Sequence, residues 1–174
     1  MIKLIIMAKL EIKKYGDSVL RKKSDWVQKI SKDIKRLTED MLETMYSSRG
    51  LGLAAPQVGI SLRVCVIDVD PDKKLPLVMV NPKIASGSNK ILEQEGCLSL
   101  PEIFAEVKRF SNIVAEYTDL EGKNKTIEAE GLLARAIQHE IDHLDAKIFI
   151  DYLPDWKRKS IEKEIKRRKK KGDW

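Results

Sequence analysis

The sequence predicts an α+β fold in which mainly antiparallel strands surround a central buried helix, with an outer N-terminal helix and a basic C-terminal helix. Three observations carry this prediction. A helical apolar period comes first, and five short β-rich runs separated by turn residues follow it. A second helical period then contains His139-Glu140-Ile141-Asp142-His143, with apolar positions on both of its faces.

In the first period, Ser31 is a natural N-cap for a helix whose apolar residues Ile34, Leu37, Met41 and Met45 share one face, and Gly50 stops it. The β-rich runs are 62–69, 75–80, 90–94, 113–118 and 125–130, divided by Pro71, Asn81-Pro82, Ser86-Gly87 and Glu121-Gly122. The last two runs are expected to pair as a hairpin through 119–123. After Gly131, Leu133, Ile137, Ile141 and Leu144 form an apolar stripe at spacings of four, four and three. Stepping round the same helix at 100° per residue places Leu132 and Ala136 beside the two histidines, so the histidine side is apolar too. A helix apolar on both sides belongs in the interior. Segments 15–23 and 154–157 read as connections within one domain.

The chain has 174 residues, 43% of them hydrophobic and 34% charged, enough for one buried core. A single domain over residues 1–174 is therefore expected. No apolar run approaches the roughly 20 residues that span a bilayer, and residues 2–8 are too short and too interrupted for a secretory signal, which points to the cytoplasm and no membrane partner. Two cysteines are too few for a disulfide framework. Cys65, inside a strand, reads as a small buried hydrophobe. The formal charge of +6 is concentrated in residues 157–171, with ten Lys or Arg against two Glu. Ile161 and Ile165 lie one turn apart there, so residues 157–174 are expected to form a basic terminal helix with one weak apolar stripe, suited to a solvated surface or to nucleic acid.

The chemistry is concentrated in three segments. His139 and His143 are the only histidines in the chain, and their four-residue spacing on a helix lets both imidazoles reach one metal ion while Glu140 stays free to move protons. A catalytic site of this type has a third protein ligand, here a carboxylate or a thiolate. Cys97, within Glu95-Gly96-Cys97-Leu98-Ser99-Leu100-Pro101, is the preferred candidate because this peptide combines a permissive glycine with a fixed exit. In Gly50-Leu51-Gly52-Leu53-Ala54-Ala55-Pro56-Gln57, the small residues are packed more densely than in an ordinary strand or helix. They permit close backbone approach to a ligand, and Gln57 offers an amide donor for an oxyanion. Without a lysine and a hydroxyl residue at its end, this segment is a poor phosphate loop.

Taken together and in this order, the three segments resemble the motifs of the peptide deformylases, and the likeness continues through Val107-Lys108-Arg109, Asp119-Leu120-Glu121-Gly122 and Gly131-Leu132-Leu133-Ala134-Arg135. The resemblance implies a metal-dependent hydrolase that removes the formyl group from the initiating methionine of nascent polypeptides and releases formate, with metal-bound water as nucleophile. It implies Cys97, His139 and His143 as metal ligands and Glu140 as general acid/base. Gln57 and the Leu98 amide would stabilise the oxyanion. Leu51, Gly52, Leu132 and Ala136 are expected to bind substrate, with Gly52 admitting the peptide backbone like an added strand. Ferrous iron is the implied metal, though these ligands would also accept zinc, nickel or cobalt. A monomer is expected, with ribosome contact through the basic tail.

Glu95, Asp142 and Arg109 are candidates for orienting the ligands. Arg49 and Phe104 are expected at the cleft mouth, where preferences beyond the first residue would be set. Ala146 stands where the family usually has glycine and Ser18 where it commonly has proline; residues 1–6 extend beyond a typical start. Two other readings compete: an H-E-x-x-H peptidase cutting internal amides, and a ribosome- or RNA-binding domain with a structural metal.

Overall fold

The computed structural model describes residues 9–73 and 75–174; the expected extension, 1–6, lies outside them. Five strands form one antiparallel sheet in sequence order: β1 (Gly52–Ala54), β2 (Val64–Ile67), β3 (Leu77–Cys97), β4 (Leu100–Thr118) and β5 (Asn124–Glu130). Three helices accompany it: α1 (Lys32–Ser47), α2 (Gly131–Leu144) and α3 (Asp155–Lys171). The expected hairpin is β4–β5, closed by Asp119, which accepts the Lys123 N–H and caps the turn through its side chain.

The expected runs 75–80 and 90–94 are not separate strands, and 113–118 is only the end of one. β3 passes straight through Asn81-Pro82 and Ser86-Gly87, which read as breaks in the sequence. Register shifts between Val80 and Lys83 and between Ile84 and Ser86 absorb them as bulges, where a proline has no ladder bond to lose. Asn81 adopts φ +54°, and its side chain clamps the backbone of Val27 from both sides. The dense small-residue segment also departs from expectation: Gly52–Ala54 is a strand at the sheet edge, and Ala55–Val58 a 3₁₀ turn. The connection at 15–23 likewise contains a 3₁₀ turn, Ser18–Arg21, capped by Asp17.

Ser31 caps α1 by accepting the Ile34 N–H, and Ile34, Met41 and Met45 pack against Leu53, Val64, Val66 and Val80. The stripe of α2 buries Ile137, Ile141 and Leu144 against Cys65, Ile67, Met79 and Ala115. Phe149, Ile150 and Leu153, from the turn after α2, pack with Leu100, Val107 and Ile165 of α3 in a third cluster. No helix among the described residues is long and apolar enough to cross a membrane.

Both α1 and α2 end in a paired hydrogen-bond motif that requires a left-handed residue just past the cap. After α1, Arg49 N–H donates to the Tyr46 carbonyl and Gly50 N–H to that of Met45, with Arg49 at φ +55°. After α2, Ala146 N–H donates to His143 and Lys147 N–H to Asp142, with Ala146 at φ +62°. Glycine adopts this conformation without the Cβ clash that costs other residues roughly 1–2 kcal/mol. Ala146→Gly is therefore expected to stabilise the fold by about 1 kcal/mol, read as a rise of about 2–4 °C in thermal midpoint.

Candidate metal centre

α2 turns His139 and His143 to the same side, their ring centroids 5.0 Å apart at 75°. Cys97 meets them from the end of β3, where a register shift and the two-residue turn Leu98-Ser99 carry the chain into β4. Its Sγ lies 3.2 Å from His143 Nε2, and one ligand atom from each of the three residues falls within 4.8 Å of the others. The structure thus brings together residues separated by more than 40 positions in the chain.

A charged network behind the donors orients His139. Its Nδ1 lies 3.0 Å from Glu95 Oε2, so Nε2 is the ring atom on the Cys97 side. Glu95 is buried and also accepts from Arg109 Nε at 2.8 Å, Arg109 Nη2 at 3.0 Å and Arg135 Nη1 at 2.6 Å. Burial by itself would raise the Glu95 pKa, but the bonds from His139 and Arg109 prevail and hold it at about 2. Arg109 continues to Asp142, which accepts a second bond, at 2.8 Å, from the Tyr152 hydroxyl; the Tyr152 ring lies against the Arg109 guanidinium. Neither Arg135 nor Tyr152 is among the residues that the sequence marks for orienting the ligands. Arg135 carried a signal, since it lies one helical turn before His139, whereas Tyr152 carried none.

Glu140 is buried with Oε2 unpartnered, and burial pushes its pKa up to about 7. Gly52 is the reason it fits. A Cβ at that position would lie 2.3 Å from Glu140 Oε1, so β1 can pass the carboxylate only as glycine. Gln57 is fixed at both ends: Oε1 accepts the Ala54 N–H at 2.8 Å, and Nε2 points to Ser99 Oγ at 3.2 Å and Cys97 Sγ at 3.5 Å. The Ala54 donor dictates the amide's orientation, so its N–H side faces the cysteine.

These groups line a cleft of about 570 Å³. Leu51, Gly52, Leu98, Leu132 and Ala136 border it, as do Arg49 and Phe104. Leu132 and Phe104 are exposed there, while Ala136 is buried at its base. The arrangement sets a cysteine sulfur and two imidazoles beside a buried carboxylate and the N–H side of an amide, next to the open edge of β1.

A sequence model described as polypeptide deformylase matches residues 9–159. The peptide deformylase of Endomicrobium trichonymphae is 67% identical over 168 residues, covering 97% of this chain and all of that protein. That of Nitrosococcus oceani is 47% identical, covering 94% and 98%. A crystal structure of a peptide deformylase from Legionella pneumophila superposes with a TM-score of 0.89 at 41% identity, covering 94% of this chain and 96% of that one. Another, from Ehrlichia chaffeensis in complex with actinonin, gives 0.88 at 38% identity, covering 93% and 98%.

Proposed function

We propose residue roles from one premise: the chain belongs to the peptide deformylase family, metal-dependent hydrolases that remove the N-formyl group from nascent polypeptides. The observation that carries the assignment of roles is the convergence of Cys97, His139 and His143 beside the buried, unpartnered carboxylate of Glu140. The donor set fits a divalent transition metal, being one soft thiolate and two imidazoles, one of them held in a single tautomer by Glu95. Ferrous iron is the resident ion in this reading, with zinc, nickel and cobalt chemically acceptable substitutes. When bound, the ion supplies Lewis acidity and brings the pKa of water from 15.7 to the neighbourhood of 7.

Glu140 accepts the proton released as water attacks the formyl carbon, a task suited to a buried carboxylate with an unpartnered oxygen beside the metal-binding residues. Gln57 Nε2 and the Leu98 N–H donate to the formyl oxygen as negative charge develops on it. Glu140 then delivers the proton to the departing amine, leaving formate and a free N-terminus. The methionine side chain lies between Leu132 and Ala136. Its backbone pairs along Leu51 and Gly52 at the open edge of β1. α2 is thus the catalytic helix at the centre of a single catalytic domain.

Gln57→Ala is expected to lower kcat for formate release by about 10²–10³ with metal content unchanged, since the donor is lost and the three ligands stay. Loss of metal together with activity would instead make Gln57 a structural support of Cys97. The exposed lysines 159, 163, 166 and 170 form one stripe on α3, which supports ribosome contact by a monomeric cytoplasmic enzyme. Cosedimentation with ribosomes that fades with rising salt and is lost when the four become glutamate would support that contact.

A further inference from the structure

We propose that Arg49 and Lys14 make this deformylase selective for nascent chains with acidic residues immediately after the methionine. The inference rests on the deformylase reading above. Both side chains border the substrate cleft, both residues are exposed, and neither has an ion-pair partner among the described residues. The cleft's other ionic groups leave this charge uncompensated. Glu95 is saturated by Arg109, Arg135 and His139, and Arg135 is also paired with Glu93. Glu102, at the rim, is paired with Arg168 at 3.0 Å. Glu140 is buried beside the donors.

Position along the chain tells which end of the substrate meets the charge. Gly52 packs against Glu140 at the reacting end, and Arg49 lies three residues earlier in the chain, in the turn that leads from α1 to β1 on the border of the same cleft. A peptide lying along this edge with its formyl group beside Glu140 runs on from Gly52 towards that turn, so the residues after its methionine meet Arg49. Lys14 approaches from the opposite side, in the segment whose backbone bonds to Gln57 and Ser99 through Lys13 and Tyr15.

The backbone at Arg49 is a second, independent observation. Arg49 fills the left-handed position after α1, where glycine is favoured, so a long cationic side chain is kept at the cleft at a cost in strain. Arg49→Gly should therefore separate the two roles: thermal midpoint rises while selectivity falls.

The test compares kcat/KM for formyl-Met-Ala-Ser, formyl-Met-Asp-Asp and formyl-Met-Lys-Lys, all amidated at the C-terminus, using metal-loaded full-length enzyme. The acidic peptide should exceed the basic one roughly tenfold at low salt, and the ratio should shrink towards one at 0.5 M salt. Arg49→Gly should reduce the ratio roughly threefold while the protein melts higher, and Arg49→Glu with Lys14→Glu should invert it. A wild-type ratio near one, or a ratio unchanged in both variants, overturns the proposal even if formyl-Met-Ala-Ser is cleaved. No formate from any of the three peptides overturns the deformylase reading itself.

Discussion

Replacing Glu140 with glutamine should lower kcat for formate release by about 10²–10⁴ while leaving metal content and fold intact. The substitution preserves the shape of a side chain that is 3% exposed and wedged against Gly52, but it removes the carboxylate proposed to take a proton from water and return it to the amine. Its effect on stability should be the opposite of its effect on rate. Burial raises the Glu140 pKa from 4.5 to about 7, so in the metal-free protein the folded state keeps a proton that the unfolded chain has released. Stability must then fall as pH rises from about 4.5 to about 7, and Glu140→Gln should flatten that decline. Thermal melts of the metal-free pair across this interval check it; an equally steep decline in the variant would assign the pH dependence to another group.

Glu95→Ala should produce the largest loss of stability. Glu95 neutralises two arginines that are themselves 4% and 5% exposed, and removing one partner of a buried ionic group costs about 3–5 kcal/mol because the remaining charge has no water to return to. Glu95→Gln keeps the shape but not the charge, and the orientation of His139 should suffer, with metal affinity reduced about 10–100-fold. The pH dependence follows from a pKa lowered from 4.5 to about 2. The stability contributed by Glu95 is complete above about 4.5 and disappears as pH falls through about 2, so the wild-type protein should unfold in acid over that interval. Denaturant titrations from pH 5 to 2 should give a shallower dependence for Glu95→Gln. Equal slopes would mean that the network is not what fails in acid.

The parts of this site that were legible in the sequence are those determined locally. The His139–His143 spacing needs only a helix, and the apolar stripe of Ile137, Ile141 and Leu144 supplies one. Cys97 and Gln57 stood out because glycine and other small residues around them suit neither an ordinary strand nor an ordinary helix. The network that holds the donors was only half visible. Glu95, Arg109 and Asp142 could be suspected, but their pairing with Arg135 and Tyr152 depends on how β3, β4 and the turn after α2 pack, which no local pattern encodes. The long hairpin was obscured for a different reason. Pro82 and Gly87 are turn-forming residues, and the sheet accommodates them through shifted register and through Phe110, which packs where a Cβ at Gly87 would stand. Ala146 was visible as a departure from the family pattern, but only the left-handed backbone after α2 shows what that departure means for stability.

The most direct test is formate release from formyl-Met-Ala-Ser by protein purified without oxygen, with bound metal quantified in the wild type, Glu140→Gln and Cys97→Ala. Expected are rapid release by the metallated wild type, loss of release with metal retained in Glu140→Gln, and loss of both in Cys97→Ala. Folded Cys97→Ala that keeps its metal and its activity, or Glu140→Gln that releases formate at the wild-type rate, would contradict the assigned ligand set or the assigned proton carrier.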